Sequence, residues 1–273
     1  MRVREKGVMA ANRRKAFASK GDDMTLTRFV KLEGYHASGR APRRAKPGAT
    51  GTEHPKTLKL PSELPIVKPW QTRLLVTGYG NMKLGRDVRK GKLKGYWIYA
   101  LSLEERKTCP TRCTHWLTCY GNNLNLSKRI DHTDPQFLPL LEEEIDRLVN
   151  VRGRIGVLIR LHELGDFYSP GYVAFWRDML RRHPTLSIFG YTAHDPESVM
   201  GSLISRMNVW YPGRSMVRFS NGGTDQMATV PLKPGDECPP NAFICPEQTG
   251  KTRCCATCGV CWTTEKNVAF LEH

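Results

Sequence analysis

Strand-like and helix-like patterns alternate along the chain between residues 97 and 220, and this alternation limits the choice of fold class. Short β-branched or aromatic runs predict strands, and apolar residues three or four positions apart predict amphipathic helices. The predicted strands are 97–103, 154–162, 185–192 and 215–220, and the predicted helices are 136–150, 172–183 and 197–207. The chain is therefore expected to be α/β, as a partial (open) βα barrel or a parallel sheet with crossover helices.

The loops that follow the predicted strands carry most of the reactive side chains. In parallel folds of this kind, such loops meet at the carboxyl edge of the sheet, where ligands bind. In chain order they read CPTRCTHWLTCYGNN, HELGDFYSPG, TAHDPES and SNGGTDQ. We expect their side chains to share one site. The final run, NVAFLEH, predicts an edge strand.

Excess positive charge is confined to the first part of the chain. There are 42 basic and 26 acidic residues in all, a net charge of +16, but residues 109–273 contain 17 of each. Residues 1–60 have 15 basic and 5 acidic residues and few large apolar ones, which predicts a disordered basic arm. The α/β core is expected at 61–235 and a cysteine-rich cluster-binding segment at 236–273.

The basic arm has two interpretations. Its lysines and arginines suit nucleic acid as a partner, because each phosphate contact releases counterions. Alternatively it is a solvated tail, and a start at Met24 instead of Met1 would remove part of its charge.

The sequence contains no run of about 18 apolar residues, which a membrane-spanning helix would need. The first residues also lack the apolar region of a secretory signal. We therefore expect a cytoplasmic protein without a membrane partner.

All nine cysteines lie after residue 108, in two groups. The second group consists of Cys238, Cys245, Cys254, Cys255, Cys258 and Cys261. The last three cysteines form a C-x2-C-x2-C run, the spacing of a ferredoxin cluster loop, which predicts three ligands of a 4Fe–4S cluster. Cys245 is the expected fourth ligand. A structural zinc site is an alternative, whereas disulfides fit poorly with a chain that lacks a secretory signal.

The first group is Cys109, Cys113 and Cys119, spaced C-x3-C-x5-C directly after a predicted strand. Three thiolates predict a second 4Fe–4S cluster with one iron open to a substrate or cofactor. A fourth ligand would instead close the cluster and give an electron-transfer or structural centre. The candidates for that ligand are His115, Cys238 and Asp166.

Polar side chains at other strand ends extend the candidate site. His162, Glu163 and Asp166 predict acid–base catalysis or metal ligation near the first cysteine group; a core position for His162 and a capping role for Asp166 are the structural alternatives. Arg218 lies inside an apolar strand, where an unpaired charge is costly. It predicts binding of an anion such as a phosphate or carboxylate. The other predicted cofactor-binding residues are Tyr191, Ser220 and Asn221.

Five stretches follow one another along the chain: LSLEERKTCPTRCTHWLTCYGNNLNL, RLHELGDFYSPGYVAFW, GYTAH, VRFSNG and CPEQTGKTRCCATCGVCW. In this order they resemble the phage gene-product-88 family, in the versions found in alphaproteobacteria and their prophages. The likeness covers roughly residues 73–273. It implies a phage or mobile-element context and a cysteine-rich metal site, without implying a reaction.

More distantly, the layout resembles radical S-adenosylmethionine enzymes. These enzymes place three cluster cysteines on the loop after the first strand of a partial βα barrel, mostly as C-x3-C-x2-C. Cys109 and Cys113 match the first gap, and Cys119 comes three residues later. The resemblance implies S-adenosylmethionine as a further cofactor.

Charge, cysteines and resemblance together predict an iron–sulfur protein of phage or mobile-element origin that binds or acts on nucleic acid. One version is an enzyme with an open cluster and radical S-adenosylmethionine chemistry. Another is a non-catalytic, redox-responsive DNA-binding regulator. The third is a zinc-stabilised structural or interaction protein.

Overall fold

A computed structural model describes residues 66–81, 83–114, 119, 121, 127–220, 227–233 and 235–271. The arm predicted over residues 1–60 lies outside these residues. The strands are β1 (Ile66–Val67), β2 (Val76–Thr77), β3 (Trp97–Ser102), β4 (Arg129–Ile130), β5 (Val157–Leu164), β6 (Leu186–Thr192), β7 (Ser215–Phe219), β8 (Thr229–Leu232), β9 (Ala242–Ile244) and β10 (Asn267–Leu271). The α-helices are α1 (Glu105–Thr108), α2 (Phe137–Arg152), α3 (Pro170–Arg182), α4 (Val199–Trp210) and α5 (Cys255–Cys258). Short 3-10 turns occupy Pro69–Gln71, Gly78–Gly80 and Val260–Trp262.

The main sheet has five strands in the order β2-β3-β5-β6-β7. β2 pairs antiparallel with β3, and all the other pairs are parallel. Helix α2 precedes β5, α3 connects β5 to β6, and α4 connects β6 to β7. The predicted parallel sheet with crossover helices is therefore confirmed, and the described strands form an open sheet rather than a closed barrel.

The three crossover helices cover one face of the main sheet. Parallel strands that follow one another lie side by side, and right-handed crossovers then place their helices on the same face. The helices pack against strand side chains such as Leu101, Ile159 and Val217, all fully buried. Trp176 of α3 is the largest fully buried side chain in this layer.

Local sequence signals set the ends of these helices. Ser169 and Ser198 cap α3 and α4, because their hydroxyls accept hydrogen bonds from the backbone N–H groups of Tyr172 (3.2 Å) and Gly201 (3.0 Å). Helix α3 ends two residues before Pro184, consistent with the bias against helix in the residue preceding a proline. Within the described part of the chain, no helix combines the length and the apolar character needed to cross a membrane.

A second, thinner layer covers the opposite face of the main sheet. It comes from residues 83–96 and 254–262. Val88 is buried there, and the ring of Trp262 packs on Phe189 of β6 with centroids 4.9 Å apart. Part of the cysteine-rich segment is therefore built into the hydrophobic core.

A small parallel sheet lies near the end of the chain. Its strand order is β8-β10-β9, so β10 is the central strand. The strand predicted over residues 267–273 is therefore confirmed at Asn267–Leu271, but its predicted edge position is wrong. The neighbours of β10 give weak sequence signals, because β8 contains a proline and β9 has only three residues.

β6 approaches β5 so closely at Gly190 that a side chain is excluded. A Cβ there would overlap the carbonyl oxygen of Leu161. We expect Gly190→Ala to lower the free energy of unfolding by about 2–3 kcal/mol, because the strands must shift to admit the methyl group. Urea denaturation followed by circular dichroism measures this change. Gly171→Ala is the control, since the nearest atom to a Cβ there lies 3.8 Å away, and equal losses in both variants would contradict the close approach.

Candidate functional site

The first cysteine group lies at the carboxyl edge of the main sheet, after β3 and α1. The Cys109 N–H donates a hydrogen bond to the carbonyl oxygen of Glu105 (3.2 Å), and the Cys113 N–H donates to that of Pro110 (3.0 Å). Cys119 and Cys113 are both electrostatic neighbours of Cys109. These three half-buried cysteines belong to one segment, which we call the three-cysteine loop.

A buried ion pair fixes both ends of the three-cysteine loop. Arg129 of β4 donates to the Glu105 carboxylate from Nε (2.9 Å) and from Nη2 (2.8 Å), and Arg129 is fully buried. Arg129 also donates to the carbonyl oxygens of Gly121 (3.3 Å) and Ser127 (2.5 Å). Removing one partner of such a buried pair typically lowers the free energy of unfolding by about 3–5 kcal/mol. The pair therefore anchors the loop firmly to the core.

Asp166 lies beside this loop and is buried. Its carboxylate accepts hydrogen bonds from the N–H groups of Phe167 and Ala193, both at 2.7 Å, and so joins the loop after β5 to the loop after β6. Burial raises the pKa of Asp166 to about 6, although these hydrogen bonds oppose the shift. Burial, and then the charge of Asp166, raise the pKa of the Cys109 thiol. Asp166 therefore combines the capping role with a position next to the thiols.

Four cysteines of the second group line one small cavity in the thin layer. They are Cys245, Cys255, Cys258 and Cys261. Cys245 follows β9, whereas the other three lie on α5 and the 3-10 turn after it. Two separate segments therefore meet at this four-cysteine cavity.

Backbone hydrogen bonds hold α5 against the segment that precedes β3. The Cys255 N–H donates to the carbonyl oxygen of Lys83 (2.7 Å). The Ala256 N–H donates to that of Leu84 (2.9 Å), and the carbonyl oxygen of Ala256 accepts from the Arg89 N–H (2.9 Å). The position of α5 is thus fixed by residues far away in sequence.

A buried guanidinium, Arg218 of β7, lies next to the four-cysteine cavity. It donates to the carbonyl oxygens of Lys266 (2.8 Å) and Thr264, and it is fully buried. Within the described residues, it makes no ion pair with a carboxylate and its Nε has no hydrogen-bond partner. Burial lowers the pKa of Arg218. The charges that oppose this shift belong, in decreasing order, to Cys261, Tyr191 and Glu265.

Two more donors lie beside the same thiols. The Tyr191 hydroxyl donates a hydrogen bond to Cys261 Sγ at 3.1 Å. Trp262 lines the cavity and is buried, and its indole N–H has no acceptor in the described part of the chain. A cation, a hydroxyl and an unsatisfied N–H together favour negative charge on sulfur.

Burial raises the pKa of all four cavity thiols, and that of Cys255 to about 12. Nearby cations oppose this effect, namely Arg160 and Lys83 at Cys255, and Arg218 at Cys261. Without a metal these thiols keep their protons at neutral pH, and metal binding would release them. Among the described residues, no three cysteine, histidine or carboxylate side chains converge closely enough to hold a single metal ion.

The predicted acid–base residues point in different directions. His162 turns into the helix-side core, where its Nε2 lies 3.0 Å from the Tyr172 hydroxyl and its ring packs edge-on against Phe167. The carboxylate of Glu163 accepts a hydrogen bond from Asn81 Nδ2 at 2.6 Å. Asp166 lies at the carboxyl edge. These three side chains therefore do not form one catalytic group.

The predicted cofactor-binding residues are divided between two places. Tyr191 and Arg218 are register partners on β6 and β7, and both lie next to Cys261. Ser220 follows β7 at the carboxyl edge, where its N–H donates to the carbonyl oxygen of Thr192 at 2.7 Å. Asn221 and His115 lie outside the described residues.

Sequence reasoning missed two residues that influence the cavity. Lys83 lies far from the cysteines in sequence and reaches them only through the fold. Trp262 follows Cys261 directly, and that adjacency was the one available signal. Cys254, to which the sequence assigned no role, and Cys238, a candidate fourth ligand of the first group, are not among the residues that line the cavity.

Comparison with known proteins identifies relatives of this chain. A family model described as gene product 88 matches residues 73–264. The Gene 88 protein of Mycobacterium phage L5 is 28% identical over 166 residues, which cover 55% of this chain and 69% of the relative. The Gene 88 protein of Mycobacterium phage D29 is 29% identical over 129 residues, covering 41% of this chain and 54% of the relative. No solved structure matches the chain.

The position of His162 predicts a pH-dependent stability. Burial lowers its pKa to about 3, whereas an unfolded histidine has a pKa near 6.5. As the pH falls below about 6.5, the unfolded chain binds a proton that the folded chain does not, so stability is lost progressively until about pH 3. We expect the free energy of unfolding of His162→Gln to decrease less than that of the wild type between pH 6.5 and 4, in urea titrations. Tyr172→Phe, which keeps the imidazole, should retain the wild-type dependence; loss of the dependence in that variant alone would contradict this assignment.

Proposed function

The chain belongs to the gene product 88 family, which includes proteins of mycobacteriophages, and we propose that it is an iron–sulfur protein whose four-cysteine cavity binds a 4Fe–4S cluster. The observation that carries this proposal is the meeting of four thiols from two segments around one cavity. The cluster would supply one-electron redox chemistry or a structural cross-link. The chain itself supplies the thiolates and their surroundings.

The surroundings of the cavity fit an anionic cluster. A buried guanidinium without a carboxylate partner is costly, and Arg218 is in this position among the described residues. The indole N–H of Trp262 is a further buried donor that lacks an acceptor. Cluster sulfurs accept hydrogen bonds and carry negative charge, so one bound group would satisfy both side chains.

Iron–sulfur ligation fits the cavity better than zinc. Zinc needs four ligands around one point at about 2.3 Å from each sulfur. The thiols line the cavity without converging in that way. The C-x2-C-x2-C run with one distant fourth cysteine is also typical of cluster binding.

Metal analysis tests this proposal directly. Protein isolated without oxygen is expected to be brown and to contain iron and acid-labile sulfide in equal amounts, about four of each per occupied cavity. Cys258→Ser should lower both by about four. Cys254→Ser is the matched control, because its side chain contacts Thr257 and does not line the cavity. Colourless wild-type protein that contains zinc and no sulfide would rule the cluster out.

We propose a second cluster at the three-cysteine loop, with one iron not held by cysteine. The loop carries three thiols at the carboxyl edge, and the carboxylates of Asp166 and Glu105 both lie close enough to Cys109 to interact with it electrostatically. A fourth protein ligand would make this centre an electron-transfer site, whereas an open iron would make it an enzyme site. The family match and the names of the relatives carry no radical S-adenosylmethionine assignment.

Addition of S-adenosylmethionine to the reduced protein separates these two versions. If the iron is open to this cofactor, we expect the electron paramagnetic resonance signal of the reduced cluster to change and 5′-deoxyadenosine to form. Cys113→Ser should abolish both effects, while Cys258→Ser should leave them in place. An unchanged signal with no 5′-deoxyadenosine in the wild type would exclude the radical enzyme and leave an electron-transfer or regulatory centre.

We also propose that residues 1–60 contact nucleic acid. Their 15 basic residues against 5 acidic ones support this partner, because phosphate contacts by lysine and arginine are a general source of affinity. Such contacts position a protein without reading sequence. The arm would therefore add affinity and leave specificity to other residues.

A further inference from the structure

The amino edge of the main sheet, opposite the three-cysteine loop, carries a concentration of positive charge. The loop before β3 contains Arg86, Arg89, Lys90, Lys92 and Lys94, with Asp87 as its one carboxylate. Val88 and Leu93 of the same loop are 1% and 4% exposed. Because these two side chains are fixed in the thin layer, the loop presents its cations at a defined place on the surface.

Several of these cations are available to a ligand. Lys90, Lys92 and Lys94 are exposed and make no ion pair within the described residues. The ammonium of Lys92 extends towards the turn before β7, since a Cβ on Gly213 would lie 3.8 Å from its Nζ. Arg154, exposed just before β5, adds another cation. The positive charge therefore extends across the edge from β3 to β7.

Exposed aromatic side chains lie on the same edge. Tyr79 is 76% exposed and Trp210 is 57% exposed. Tyr79 follows β2, which runs antiparallel to β3, so it leaves the sheet at the amino end of β3. Trp210 is the last residue of α4, close before β7. The two rings thus lie at opposite ends of the cationic edge.

We propose that this amino edge, formed by Lys90, Lys92, Lys94, Arg154, Tyr79 and Trp210, binds single-stranded nucleic acid. The cations would contact phosphates, and the two rings would stack on bases. Sequence-tolerant binding of single strands uses this combination of a cationic track and aromatic platforms. A duplex keeps its base faces covered, so it would leave the two exposed rings without a stacking partner. The surface is distinct from residues 1–60 and does not depend on a bound cluster.

Salt-dependent binding of the full-length protein to a labelled single-stranded oligonucleotide tests the proposal. For the triple variant Lys90→Gln, Lys92→Gln, Lys94→Gln, we expect weaker binding and a slope of log K against log salt that is shallower by about 2, since each lost phosphate contact removes about 0.7. Tyr79→Ala and Trp210→Ala should each weaken binding at least about fivefold. The aromatic variants should leave the slope unchanged, because they remove no charge.

Matched controls make the outcome decisive. Lys107→Gln, Lys128→Gln, Lys233→Gln removes the same charge from exposed positions away from the amino edge, and we expect it to bind like the wild type. The triple Lys→Arg variant at 90, 92 and 94 should restore both affinity and slope, which excludes misfolding as the cause. Neutralising Arg13, Arg14 and Lys15 reports separately on the arm. Equal losses in the two Gln triples, or equally tight binding to duplex DNA or anionic phosphatidylserine vesicles with no effect of the aromatic variants, would overturn the proposal.

Discussion

The need to cover both faces of the parallel sheet is the constraint on which the rest of this structure depends. β5 and β6 are buried along most of their length, so neither face can be left in water. Helices α2, α3 and α4 cover one face as a consequence of right-handed crossovers. The other face receives loops and single helical turns. Such segments expose many backbone polar groups, and hydrogen bonds such as that from Cys255 to Lys83 satisfy them.

The thin layer differs from the helix layer in how it gains stability. It buries few large apolar side chains, and it places four thiols and the Arg218 guanidinium where water is largely excluded. Small structures with insufficient apolar burial commonly depend on a metal for part of their folding free energy. Under the proposed function, a cluster would join the segment after β9 to α5, and its charge would compensate Arg218. The four bonds between cysteine sulfur and iron would then serve both the structural and the redox role.

The sequence was informative where periodicity is strong and uninformative where contacts are distant. Long β-branched runs predict the strands directly, and apolar residues at helical spacing predict the amphipathic helices. The crossover architecture could therefore be predicted. The central position of β10 could not be predicted, because its partners are short or contain proline. Arg218 and Tyr191 were predicted to bind an anion or cofactor, and this stays a prediction. The fold places both beside Cys261, which the sequence could not show, because their strand positions face the layer opposite the helices.

The charges of the amino edge and the four-cysteine cavity act on one another. Burial raises the pKa of Cys258 in the cavity, and the positive charge of Lys90, on the cationic loop, is one of the smaller effects that oppose this shift. A bound phosphate would neutralise Lys90 and reduce its stabilisation of negative charge on sulfur. By thermodynamic linkage, negative charge on sulfur would weaken phosphate binding by the same free energy. If both proposals hold, negative charge in the cavity and a polyanion at the edge would therefore compete for the same cation.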